Sequence, residues 1–247
     1  MRNRMMRAAR LLLCAAAAHV PVSASAAGWD VSKASSNFEL VTLGDTELSG
    51  RSINAIHMGN VELTSGRIVA ADPLAQPDRP ALARTVAPGD YPVTLYQAFG
   101  RIAAASMRFA EGKPDHWELA VLPGQDPATL KDDEIFGYPV DAGVGCYMDA
   151  QTLDRIDERQ AQVQAQKPDA DINYYDDVLA ADLAKGHYAL HRPVAGKKGN
   201  VAVFWSGWGD GIYPVFWGLD RDGHALVLLT DFAVIENADG RRESKLQ

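Results

Sequence analysis

The sequence predicts an α+β fold, predominantly antiparallel β-sheet arranged in meanders, with two helices between about residues 150 and 186. Three observations carry that reading. Short apolar runs bounded by glycine, proline and aspartate recur before residue 150 and after residue 186, which is strand-and-turn punctuation. A helical spacing of apolar residues is confined to the stretch between them. The segment Val201 to Asp231 holds three of the five tryptophans, and its three apolar runs are separated by the Gly207–Gly211 cluster and by Asp222-Gly223. Because Asp-Gly supplies the positive φ angles of a tight hairpin, these runs predict a three-stranded meander.

From the N-terminus, Arg2, Arg4, Arg7 and Arg10 precede the apolar stretch Leu11 to Val20, and Ala24-Ser25-Ala26 supplies a small-x-small cleavage pattern. This predicts a signal peptide over 1–26, cut before Ala27, and one globular domain over 27–247 in the periplasm or outside the cell. The apolar stretch is about half the roughly 20 residues a spanning helix needs, so no membrane span is expected after cleavage. Cys14 leaves with the leader, and Cys146 alone has no partner for an intramolecular disulfide. The full chain carries 24 basic and 32 acidic residues; loss of four arginines and no acid leaves 20 against 32, a net charge of −12. A charge of that sign repels nucleic acid and anionic lipid and suits a protein partner with a basic surface.

Asn37 to Leu43 and Ile53 to Leu63 read as short strands or ribbon segments joined by polar turns, and Gly66 to Ala71 as a strand ended by Asp72-Pro73, since proline donates nothing to a ladder. A proline-rich loop spans 72–90. Tyr91 to Phe99, Arg101 to Ala110 and Trp117 to Leu122 have short connections, which predict three sequential antiparallel strands. Tyr138 to Asp149 reads as one buried strand interrupted by glycines, with Asp149 as the N-cap of a helix. Leu153, Ile156 and Val163 mark one face of that surface helix. A second helix from about Tyr174 to Lys185 turns Tyr175, Val178, Leu179 and Leu183 inward and stops at Gly186. His187 to Val194 precedes the meander, and the tail after Glu236 is polar and expected to fray.

Candidate chemistry rests on few residues. Asp72, Asp141, Asp210 and Asp231 each sit at a strand end or glycine-rich turn, where a rigid sheet would position general acid–base pairs or hard-cation ligands. Aspartates at turns equally bond their own backbone. An EF-hand reading of Asp220-x-Asp222-Gly223 fails by count, because it puts Gly218 and Leu229 at the first and last ligand positions. His187 and His191 lie too far apart along a strand to share a metal. Ser206 lacks the glycine two residues before it that a nucleophile elbow requires. Cys146, between glycine and tyrosine in an apolar strand, reads as a small buried hydrophobe. Trp205 and Trp217 are expected in the core, whereas Trp208, inside the turn, is expected to be exposed. Trp208, Asp210 and Tyr213 are therefore the candidate binding residues; no metal site is assigned and no cofactor is called for.

Four motifs come in sequence: Gly66-Arg-Ile-Val-Ala-Ala-Asp72-Pro73, Pro88-Gly89-x-Tyr91-Pro92-Val93, Val140-Asp141-Ala-Gly143 and Ser206-Gly207-x-Gly209-Asp210-Gly211-x-Tyr213. In that order the chain resembles the bacterial domain of unknown function (DUF) 4241 family, over about residues 60–235. The resemblance implies a single domain and assigns no activity. Acidity, the leader and the lack of a catalytic signature point to an exported, non-catalytic binding module that recognises a protein. An immunity-type protein against an envelope-targeted toxin is one form of it. The alternative is a metal-assisted hydrolase using the clustered aspartates.

Overall fold

The computed structural model describes residues 29–184 and 186–235. The leader read over 1–26, its Cys14 and the tail beyond 235 lie outside them. After 3-10 turns at Val31–Lys33 and Asn37–Thr42 come α1 (Asp45–Gly50), β1 (Asn54–Leu63), β2 (Ile68–Ala71), β3 (Gly89–Ala98), β4 (Arg101–Arg108) and β5 (His116–Leu119). Next are β6 (Tyr138–Val140), β7 (Val144–Asp149), α2 (Leu153–Gln166), a π-helical turn Tyr175–Leu179 continued by α3 (Ala180–Leu183), and β8 (Tyr188–His191). The last four strands are β9 (Val201–Trp205), β10 (Gly211–Tyr213), β11 (Val215–Leu219) and β12 (Ala225–Asp231). Every pairing among them is antiparallel. The α+β class and both helical regions agree with the sequence, and no helix among the described residues is long and apolar enough to cross a membrane.

Two sheets stack face to face, a six-stranded one ordered β1-β3-β4-β12-β11-β5 and a four-stranded one ordered β2-β7-β9-β8. Strand alternation builds the layers. Along β9, Ala202 and Phe204 enter the core shared with the larger sheet, while Val201 and Val203 face the helical side, where Leu179, Leu183, Leu153 and Ile156 cover them. The register of β12 with β4 puts Leu228 opposite Met107 and Thr230 opposite Ala105. On that inner face Tyr147 of the smaller sheet donates its hydroxyl to Ala105 O (2.9 Å) and pairs with the Thr230 hydroxyl (2.7 Å), which can donate to it. The tie satisfies a phenol that would otherwise be buried without a partner.

The N-terminal segment closes the outer face of the larger sheet. Phe38 stacks on Trp117 with centroids 4.6 Å apart and meets Phe216 edge-on at 5.1 Å. Arg108 donates to Val41 O. The strand expected over Asn37 to Leu43 is thus a 3-10 turn, which buries the consecutive residues Leu40 and Val41 where a strand would bury alternate ones.

Three further expectations on pairing are corrected. β5 is not the neighbour of β4, because β12 and β11 lie between them. Val227, Leu228 and Leu229 are all fully buried, so β12 needs both faces covered and takes the sheet centre, leaving β5 at the edge. Tyr138 to Asp149 is two strands, parted at the Asp141-Ala142-Gly143 turn, where Gly143 has φ +69°. The three-stranded meander also divides: β9 belongs to the smaller sheet, β10 pairs with β6, and β11 and β12 form a hairpin in the larger one. Pro214 stands at the break between β10 and β11, where its missing N–H ends one ladder before the next begins. The Asp222-Gly223 turn survives, with Gly223 at φ +83° and Asp220 N bonded to His224 O (3.0 Å).

Candidate functional site

Three of the motif stretches, around Asp72, Asp141–Gly143 and Ser206–Tyr213, meet at one end of the sandwich. Asp72 follows the end of β2 and is fully buried. Its Oδ1 accepts from Leu74 N (3.0 Å) and Ala75 N (3.2 Å), an Asx-type turn. Its Oδ2 accepts from Asp141 N (3.0 Å) and Ala142 N (2.7 Å), fastening the β6–β7 turn. That turn in turn receives the next one, since Ser206 N donates to Gly143 O (3.1 Å).

Within the Gly207–Gly211 turn, Ser206 Oγ and Tyr213 Oη both donate to Gly209 O, at 2.8 and 3.0 Å. Burial pushes the Tyr213 phenol up to about 12, so it stays a neutral donor. Gly207, at φ +54°, lies so close to the core that a Cβ would stand 2.7 Å from Phe232 Cβ and 2.9 Å from Val234 Cγ2. The turn is therefore pinned from below by glycine and from within by two hydroxyls.

What this scaffold presents is Trp208, 58% exposed. The Arg101 guanidinium lies 4.5 Å from its ring centroid and also donates to Gly207 O (2.9 Å), while Trp208 Nε1 donates to Ala233 O (3.3 Å). An exposed aromatic held by a cation–π contact and a hydrogen bond has little rotamer entropy left to lose on binding. Arg101 comes from the β3–β4 hairpin, whose tip carries Phe99, 83% exposed and at φ +51°. Trp205 is 46% exposed and stacks on His187 with centroids 4.4 Å apart. The expectation that Trp205 is core is overturned: at the end of β9 the pairing Val144↔Trp205 carries its side chain past the last covering layer. Trp217 is buried as expected.

Of the predicted binding residues, Trp208 and Asp210 are exposed on this end, and Tyr213 is buried and holds the turn. The four aspartates do not come together as one site. Asp141 is exposed on the turn that Asp72 anchors. Asp231 lies on the outer face of the larger sheet, where Oδ2 accepts from Ser35 Oγ (2.5 Å) and Asn37 Nδ2 (3.0 Å) and Oδ1 from Ala233 N (2.8 Å). Carboxylates so occupied are latches for backbone. Among the described residues, the group with metal-ligand spacing is Asp220, Asp222 and His224 on the exposed β11–β12 turn, and none of the four belongs to it.

Other sequence candidates take structural places. Cys146 is buried in β7, and burial pushes its thiol far above the ordinary range, so it is a packing residue. His191 bridges Tyr174 Oη (2.9 Å) and Asp182 Oδ2 (2.7 Å), tying the second helical region to β8. Sequence reasoning missed Phe99, Arg101 and the His187–Trp205 stack. Only Phe99-Gly100 at a hairpin tip offered a local signal; the partners of Trp208 and Trp205 are set by tertiary folding. It also missed a cleft of about 680 Å³ beside Trp217, walled by Tyr91 and Phe109 and bridged by the Arg84–Glu118 ion pair (2.8 Å).

In comparisons with known proteins, a family model described as protein of unknown function (DUF4241) matches residues 61–230. Neither the curated proteins nor the solved structures gave a match.

Proposed function

This chain belongs to the DUF4241 family, and from that premise we propose that it is an exported, non-catalytic binding module that recognises another protein through its aromatic turn end. The observation that carries the reading is the fixed, outward presentation of Trp208 under Arg101. Tryptophan and arginine are the residue types that dominate binding hot spots, and a preorganised pair avoids the entropic cost of ordering on contact. Phe99 on the neighbouring hairpin widens the apolar area. Asp141 and Asp210, both exposed at the same end, and a chain charge of −8 favour a partner with a basic surface. An immunity-type role, capping a toxin that arrives in the envelope, fits a module built of backbone latches and displayed aromatics.

The metal-assisted hydrolase has less support, because the buried carboxylates Asp72 and Asp231 already accept from backbone and side-chain donors. The test is affinity purification from the native envelope fraction with wild type, Trp208→Ala and Asp210→Lys, each checked for an unchanged melting temperature. A stoichiometric protein partner retained by wild type and weakened roughly 30-fold by Trp208→Ala, the effect of losing a hot spot of about 2 kcal/mol, is expected. A partner held equally by all three proteins, or metal-dependent hydrolysis abolished by Asp210→Asn, refutes the reading. Export is tested by intact mass, with Ala27 as the expected first residue.

A further inference from the structure

Away from the turn end, a cleft of about 240 Å³ opens where α2 begins, between Thr64, Gln151, Thr152, Arg155 and the loop Lys197–Gly199. Its charge runs against that of the chain. Arg155 and Lys197 share one carboxylate, with Arg155 Nη1 3.0 Å and Lys197 Nζ 2.5 Å from the two oxygens of Glu158. Lys198 is exposed and interacts electrostatically with Glu62, helping Arg192 to hold that carboxyl low, at about 2. With Arg192 counted, four cations stand against the carboxylates of Glu158, Glu62 and Asp149, a local excess of one positive charge in a protein of net charge −8. The nearby Glu62 is paired with Arg192 (2.6 Å) and accepts a hydrogen bond from Gly199 N (2.9 Å). The Asp149 carboxylate accepts from the amides of Ser65, Gly66 and Gln151.

The second observation is Thr152. It lines this cleft, is 1% exposed, and its Oγ1 has no hydrogen-bond partner. A Cβ at Gly199 would stand 3.0 Å from that oxygen, so the hydroxyl lies directly against the lysine loop. Thr152 is also the N-cap of the 14-residue helix α2 and makes no capping bond there. A buried hydroxyl left unmatched costs stability and calls for an explanation. Its position where the Asp149-capped 3-10 turn Ala150–Thr152 runs into α2, beside Arg155, Lys197 and Lys198, supplies one.

We propose that this cleft is an oxyanion site that takes a phosphate-type group, held by the Arg155 guanidinium, the Lys197 and Lys198 ammonium groups and the Thr152 hydroxyl. All four can donate, and the unprotonated oxygens of a phosphoryl group accept. Its tetrahedral oxygens meet donors arriving from the helix and from the loop, which a planar carboxylate does less well. The volume admits the phosphoryl group with a small substituent. The site is separate from Trp208, so its failure leaves the protein-binding proposal standing, and the converse holds.

The test uses the mature protein, titrated with inorganic phosphate against chloride at matched ionic strength and followed by backbone amide NMR and by thermal melting. Wild type should show saturable shifts at Thr152 and Lys197–Gly199 and a raised melting temperature. Lys198→Gln, which removes one exposed charge, should weaken binding about tenfold, as expected for one charge-assisted contact. Thr152→Val should lose the phosphate-induced stabilisation while melting no lower than wild type in phosphate-free buffer. Equal affinity for inorganic phosphate and glycerol phosphate would assign the site to the free ion, and tighter binding of the ester to a phosphorylated small molecule; both uphold it. Shifts reproduced by chloride, affinity unchanged in Lys198→Gln, or a Thr152→Val protein that melts lower without phosphate would each overturn it.

Discussion

Asp72→Asn should destabilise the protein substantially even though it changes one atom. The carboxylate accepts four backbone N–H groups, from Leu74 and Ala75 on one oxygen and from Asp141 and Ala142 on the other. A carboxylate has acceptors on both arms; an amide has one acceptor and one donor. Whichever way asparagine is turned, two of the four amides face an NH2 group. Hydrogen bonds to a charged group contribute about 1.5–3 kcal/mol each, and water recovers part of the loss at the exposed Asp141 and Ala142 amides, giving a net cost of about 3 kcal/mol. For a domain of this size that is a fall in melting temperature of about 6–12 °C. Circular dichroism melts and urea titrations measure it, and amide exchange at Asp141 and Ala142 should rise along with the loss. A melting temperature equal to that of wild type would refute the latch and restore Asp72 as a catalytic candidate.

Two other outcomes separate scaffold from display. Gly207→Ala should cost about 2–4 kcal/mol, because positive-φ strain is joined by overpacking against Phe232 and Val234. Gly209→Ala, at φ +97° with open space around it, should cost only the strain, about 1 kcal/mol. Equal losses in urea titrations would contradict the assignment of Gly207 as the pinned residue. The His191 imidazole is held below its usual 6.5, chiefly by burial, with Asp182 opposing and Arg159 reinforcing the shift. The unfolded chain then binds the proton more readily, so stability is full above about pH 6.5 and falls as pH drops through the lower folded value. His191→Gln should flatten that limb of the stability profile; an unaltered limb would place the titration elsewhere.

Much of the local structure was legible along the chain. The alternation in Tyr91–Phe99 marked β3, the short connection at Gly100 placed β4 after it, Asp222-Gly223 marked the β11–β12 hairpin, and the spacing of Leu153, Ile156 and Val163 marked α2. Each is a contest between a few neighbouring residues: a side-chain period of two or of 3.6, a glycine where φ must be positive, an aspartate ahead of a helix. The motif strings were legible too, but as separate strings. Their joint role as one set of interlocked turns required Asp72 to reach Asp141 and Ala142, and Gly143 to reach Ser206.

Beyond the β3–β4 and β11–β12 hairpins, tertiary structure decided which strands pair. Proximity in sequence favours the β4–β5 neighbour and the β9–β10–β11 meander, yet the three fully buried positions of β12 demand the sheet centre and Pro214 interrupts the ladder. The same holds for side chains at strand ends. Trp205 and Trp217 are alike in sequence terms, each a tryptophan closing or centring an apolar run; one is stacked on His187 in the open and the other is buried. Periodicity assigns a residue to a face of its own strand, a property of the local backbone. Whether that face is covered depends on how far the opposing sheet extends, and the approach of Gly199 to the Thr152 hydroxyl and the Arg101–Trp208 pair are contacts of that non-local kind.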